Sequence, residues 1–119
     1  DSGGALAPKK VVEYKAGSLG TEVDSLAGTG SYPAGMVDEY LPSAGVPDQS
    51  YFWVVTEGFT VGTDGGSGIS AETPIACAAS GNIADASSPP TDNDCGRGLA
   101  AISASSTGRI WFQCPYGPR

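Results

Sequence analysis

The sequence predicts an all-β fold: a small β-sandwich or barrel of about five to seven strands with an extended, irregular N-terminal arm. Three observations predict it. Residues 51–62, YFWVVTEGFTVG, are the densest aromatic and β-branched run in the chain. Shorter apolar runs follow at 74–79, 99–104 and 110–112, separated by turn-forming Gly, Ser, Asp and Pro. The first fifty residues are instead broken by Gly and Pro and hold little that would form a core alone. The expected division is an arm over 1–45 and a β domain over 46–119. Deletion of the arm is then expected to leave the β domain folded.

Within the arm, residues 10–15, KVVEYK, fit a short edge strand, with Val12 and Tyr14 on one face and Val11 and Glu13 on the other. Residues 21–27, TEVDSLA, give the only helical hint, bracketed by Gly20 and Gly28. Residues 31–35 and 41–48 are turn or extended segments, because Pro removes a donor and Gly opens positive φ.

The β part then begins. Alternation over 51–57 places Phe52, Val54 and Thr56 on one face and Tyr51, Trp53, Val55 and Glu57 on the other. Both sets are largely apolar, which predicts a strand covered on both sides. Residues 63–68, TDGGSG, read as a hairpin or loop centred on Asp-Gly. A small-residue strand is expected at 74–79, a turn at 80–82 and an exposed loop over 84–96. A strand at 98–104, a tight turn at 105–108 and a final strand at 109–114 complete the prediction. In that last strand Ile110, Phe112 and Cys114 share one face.

Charge and composition narrow the function. Thirteen acids against six bases give a net charge of −7, and such a surface repels phosphate backbones, so nucleic acid is not an expected partner. No apolar stretch approaches the ~20 residues that span a bilayer, so no membrane partner is expected either. The bases stand early (Lys9, Lys10, Lys15) and late (Arg97, Arg109, Arg119), leaving the middle acidic. The chain has no His, which removes Ser-His-Asp and Cys-His arrangements. Cys77, Cys95 and Cys114 show no CxxC spacing and are too few for a tetrahedral zinc site. Asp85, Asp92 and Asp94, with Asn82 and Asn93, resemble part of a calcium loop, but the register is wrong and no closing Glu follows. The segment 62–68 is Gly-rich but lacks the Lys-Ser/Thr pair of a phosphate loop. Glu13, Glu57 and Glu72 offer carboxylates whose separation nothing fixes. Tyr51, Trp53 and Trp111 suit a core, a sugar platform or a protein interface. The expectation is a protein with no catalytic residues, no metal and no cofactor.

Three pieces, the first beginning at Tyr32 and the last ending at Cys114, carry a family resemblance. They are the lead and strand YPAGMVDEYLPSAGVPDQSYFWVVTEG, the strand and polar loop TPIACAASGNIADAS, and the closing CGRGLAAISASSTGRIWFQC. In these the chain resembles the small capsid decoration, or cement, proteins of tailed bacteriophages. The resemblance implies a virion structural protein, folded in the host cytoplasm and placed on the outer surface of an icosahedral head. There it would bridge capsomers, with the major capsid protein as partner and a homo-oligomer, a trimer foremost, as its assembly. Arm residues Lys9, Lys10, Val12, Tyr14, Tyr32, Met36, Tyr40 and Leu41 are the expected contacts. The alternative reading is a secreted or cell-surface binding module, pilin-like or carbohydrate-binding, with one disulfide such as Cys77–Cys95.

Overall fold

The computed structural model of the chain describes residues 6–15, 17, 21–26, 33–86 and 94–113. The fold is nearly all-β, with nine strands in two sheets and one 3-10 turn over Ala79–Gly81 among the described residues. The strands are β1 (Val11–Tyr14), β2 (Val23–Ser25), β3 (Pro33–Val37), β4 (Val54–Val55), β5 (Glu57–Thr63), β6 (Pro74–Cys77), β7 (Ile83–Asp85), β8 (Asp94–Gly98) and β9 (Thr107–Gln113). One sheet runs β2-β1-β3-β4 and the other β5-β9-β8-β6-β7. Every pairing within them is antiparallel.

The expected arm is not an arm. Residues 6–37 supply three of the four strands of the first sheet, and Val11, Leu26 and Met36 enter the same core as Ile75, Ile83, Cys95, Ile110 and Phe112. The physical reason is that these short strands are apolar enough to form a sheet once a second sheet covers them. β1 is also not an edge: β2 pairs on one side and β3 on the other. The helical hint at 21–27 is overturned for the same reason. Val23 stands opposite Tyr14 in a strand, and one or two isolated turns of helix would be marginal in water.

The first sheet is apolar on both faces. Val11 and Met36 point to the inter-sheet core, whereas Val12, Ala34 and Val37 form a second cluster with Leu6 and Val46. Pairing steps from Val12–Gly35 to Glu13–Pro33, so Ala34 is an extra residue on β3. This bulge breaks the alternation and leaves all five residues of β3 buried. The second cluster is roofed by the segment 38–53. Its Leu41 and Phe52 pack inward, and Leu6 and Val46 exchange two backbone hydrogen bonds of 3.1 and 2.8 Å.

The strong run at 51–57 is covered less than expected. Within it only Val54 and Val55 join the first sheet, opposite Val37 and Met36, while Tyr51 and Trp53 are exposed. The predicted alternation itself holds: Phe52 and Val54 face the second cluster and Val55 the core. After a bend at Thr56 the chain continues as β5 in the other sheet.

The second sheet curls until its two edge strands touch. Asp64, at the end of β5, bridges Ile83 of β7. Gly62 permits this approach, because a Cβ there would lie 2.7 Å from Ile83 Cδ1 and 3.3 Å from Met36 Cε. The loop after β5 is organised by the Asp64 carboxylate rather than by a hairpin turn. Asp64 is 3% exposed. Its Oδ2 accepts backbone hydrogen bonds from Gly66 (2.8 Å), Gly68 (2.9 Å) and Ser105 (2.9 Å). Burial pushes this carboxyl up, but the amides of Ser105, Gly68, Gly66 and Gly65 outweigh it, and the net pKa lies below the ordinary Asp value.

The C-terminal hairpin forms with a shifted first strand. The strand expected at 98–104 is found at Asp94–Gly98, overlapping the end of the loop expected over 84–96, while Leu99 is exposed. Of the region beyond, Ile102 only bridges Ile69. Pairing of β8 with β6 steps from Gly96 to Asp94, so Cys95 is an extra residue turned into the core. Gly96 has φ +142° and packs so closely that a Cβ would overlap Trp111 O at 1.9 Å. In β9, Ile110 and Phe112 are fully buried, as the alternation predicts. Cys114 lies outside the described residues.

Two outcomes follow. A chain lacking residues 1–45 loses Val11, Leu26 and Met36, each worth about 1.5–3 kcal/mol of burial. It should show no cooperative thermal transition by circular dichroism; a cooperative one would restore the arm. Second, Asp64 has a lowered native pKa, so its contribution is fully present above the unfolded carboxyl value and is lost as pH falls through the native one. Asp64→Asn should cost about 1–3 kcal/mol at pH 7 in urea titrations. The gap to wild type should narrow below about pH 4.

Candidate functional site

The segment 38–53 works as a cover with two sides. Inward, Leu41, Val46 and Phe52 seat it on the first sheet. Outward stand Tyr40 (83% exposed), Trp53 (82%) and the fully exposed Tyr51. The segment is fixed by backbone hydrogen bonds: Asp38 N to Trp53 O (3.4 Å), Leu41 N to Asp38 O (3.3 Å), Gly45 N to Pro42 O (2.8 Å) and Ser50 N to Pro47 O (3.3 Å). The Asp38 carboxylate accepts from Tyr40 N at 3.0 Å and tightens the turn. The aromatic side chains are therefore carried on ordered backbone.

Along one side of the cover runs an open groove of about 500 Å³. Tyr14, Tyr51 and Phe52 are its aromatic members, and Thr21, Glu22, Gln49 and Ser50 contribute polar groups. Glu22 is held by Lys15, Nζ to Oε2 3.1 Å, and Lys15 N donates to Glu22 O at 3.0 Å. On the far side of the cover Glu39 receives a two-pronged contact from Arg109 of β9, at 3.0 and 3.2 Å. This pair is half exposed and contributes at most about 1 kcal/mol, but it fixes the 38–41 turn against the second sheet.

The sequence-predicted contact residues divide three ways. Tyr14, Tyr40 and Leu41 belong to the cover and its groove, with Tyr14 and Tyr40 exposed and Leu41 half-buried. Val12 and Met36 are fully buried, Val12 in the second cluster and Met36 between the sheets. As contacts they are corrected: β1 and β3 are interior strands. Lys9 and Lys10 sit elsewhere, where the chain enters β1. Lys9 O accepts from Thr63 Oγ1 at 3.0 Å, and Lys10 Nζ donates to Asn82 Oδ1. Burial pushes the Lys10 ammonium below the ordinary lysine value. Both lysines thus tie β1 to the second sheet. Tyr32 lies outside the described residues.

The sequence reading missed Tyr51 and Trp53 as surface groups by assigning them to a covered strand. A signal was present: Pro47, Asp48, Gln49 and Ser50 immediately before them are turn formers, which delays the strand.

Of the other candidates, Asp85 accepts from Ser70 N (3.2 Å) and Thr73 Oγ1 (2.9 Å) and braces a loop. Asp92 and Asn93 lie outside the described residues. Cys77 is a buried free thiol, so the bond expected between Cys77 and Cys95 is not formed.

The two sides of the cover should separate in mutagenesis. Tyr51→Ala and Trp53→Ala should leave stability within about 0.5 kcal/mol of wild type, as exposed surface changes do. Phe52→Ala should cost about 1–3 kcal/mol. Thermal melts of the three variants check this, and equal losses at all three positions would mean that Tyr51 and Trp53 are structural.

The chain matches no known protein-family model, and no curated protein is significantly similar to it.

Proposed function

We propose that the chain is a virion structural protein, a decoration protein that binds the outer surface of an icosahedral phage capsid and stabilises contacts between capsomers. The observation that carries this reading is the cover segment, which presents Tyr40, Tyr51 and Trp53 almost wholly to solvent on hydrogen-bonded backbone. Large aromatics are enriched at protein interfaces and dominate their energetics, while a surface set of this kind is of no use to the monomer. A fixed backbone also lowers the ordering cost of binding. The proposed partner is the major capsid protein, contacted through the cover rather than through a free arm. A homo-oligomer on the shell remains part of the proposal, as does a place outside the particle.

A second reading is a binding module for a small polar ligand such as a saccharide. The groove favours it, because Tyr14 and Tyr51 give stacking faces beside Glu22 and Gln49. The disulfide expected for a secreted module of this kind is not formed by Cys77.

The test is co-sedimentation of the chain with particles from its source, with copy number from quantitative mass spectrometry. Hundreds of copies in a simple ratio to the shell protein are expected. Tyr40→Ala/Trp53→Ala should reduce occupancy by about tenfold or more while remaining folded. Absence from particles, together with saturable saccharide shifts at Tyr14 and Tyr51 in NMR, would replace this reading with the second.

A further inference from the structure

The outer face of the five-stranded sheet carries a row that the strand register defines. Phe59 of β5 stands opposite Trp111 of β9, Trp111 opposite Arg97 of β8, and Arg97 opposite Pro74 of β6. Directly opposed residues share a face, and this face is the outer one, because Ile110 and Phe112 point inward. The Phe59 and Trp111 rings meet edge to face, with centroids 4.9 Å apart at 79°. Phe59 is nevertheless 63% exposed. Glu57 is on the same face, two residues before Phe59 on the edge strand. The aromatic pair is thus flanked by a carboxylate on one side and a guanidinium on the other.

We propose that this face binds a second copy of the same chain about a two-fold axis. A two-fold interface requires a patch that complements itself. With strands about 4.8 Å apart and a rise of about 3.4 Å per residue, Arg97 lies about 5 Å to one side of Trp111. Glu57 lies about 5 Å to the other side and about 7 Å along the strand. A two-fold axis in the plane of contact, midway between Arg97 and Glu57, exchanges the two positions. Arg97 of each copy then stands over Glu57 of the other, and the four rings gather within about 4–5 Å of one another at the centre.

Charge argues for the same occupant. The chain carries −7 overall, yet both described arginines stand on this face; Arg109 is engaged by Glu39, while Arg97 Nη1 donates to the Glu72 carbonyl at 2.7 Å, a contact that leaves its charge unneutralised. The face is cationic on one side within an acidic protein, and another copy supplies the matching acid.

Because the sheet curls, contact with a flat partner is confined to the three neighbouring strands β5, β9 and β8. Three strands about 20 Å long present roughly 300 Å² in projection, against about 800 Å² per partner in a stable complex. The dimer is therefore weak and concentration-dependent. Its two-fold replaces the three-fold ring that the family resemblance implies, and it does not rest on the capsid reading.

The test is sedimentation velocity of the full chain over about 5–500 μM, a range that brackets weak association. A monomer–dimer equilibrium is expected. Glu57→Lys and Arg97→Glu should each weaken it by about tenfold or more, and the double variant E57K/R97E should restore it by recreating the pair with its signs reversed. Phe59→Ser should abolish it. Glu57→Lys makes the chain less acidic, which alone would favour association, so its expected loss is not a net-charge effect. All three positions are exposed, and circular dichroism should show native folding. A monomer at every concentration, a trimer, single variants that associate like wild type, or a double variant that stays monomeric would each overturn the proposal.

Discussion

The fold depends on a closure. The second sheet bends until Asp64 at the end of β5 meets Ile83 of β7, and the space at Gly62 lets Ile83, Ile110 and Met36 converge there. A side chain at Gly62 would separate the edges and push Met36, which belongs to the other sheet, away from the core. The Asp64 carboxylate then locks the closure by gathering amides from its own loop and from the 103–106 turn. A buried carboxylate is costly unless hydrogen-bonded to this extent. The amides gathered on Oδ2 and the apolar packing therefore meet at one corner, where Oδ1 is buried without a partner, and the first sheet is positioned by it.

The first sheet uses its apolar content twice. One face completes the inter-sheet core, and the other binds the cover formed by residues 38–53. The cover links the fold to the proposed contact surface. Its inner residues are held as any core is held, and its outer aromatics gain order from that without contributing to it. The other presentation of aromatics, Phe59 and Trp111, comes from the rigid sheet instead. The chain thus offers two distinct aromatic surfaces, one on a loop and one on strands.

Much of the β domain was legible from local pattern. The final strand, its buried Ile110 and Phe112, and the strand at 74–77 follow from alternation between turn signals. In the first fifty residues the short strand at 10–15 was legible, though not as an interior strand; β2 and β3 were missed because they are three and five residues long, and pairing across tens of residues, not propensity, makes them strands. The displaced strand at Asp94–Gly98 was hidden by its composition. Asp, Gly and Arg read as loop, and only the bulge at Cys95 with a positive-φ Gly96 makes them a strand. Of the expected contact residues, Tyr14 and Tyr40 are exposed and Leu41 packs inward, while Tyr51 and Trp53 were misplaced. The strength of the apolar run concealed that its first three residues precede the sheet.

The position of β9 has a consequence for how the molecule comes into being. It lies between β5 and β8 and pairs with β5 along all seven residues. Until it is present, β5 lacks its ladder, and the inter-sheet core lacks Ile110 and Phe112. Val11, Met36 and Cys77 share one core with Ile110 and Phe112 of β9, so their burial is complete only when β9 has joined β5 and β8. Folding of this kind is governed by distant contacts and is slow for its size. During synthesis, access to the nascent apolar strands rather than the stability of the finished domain sets how much protein survives.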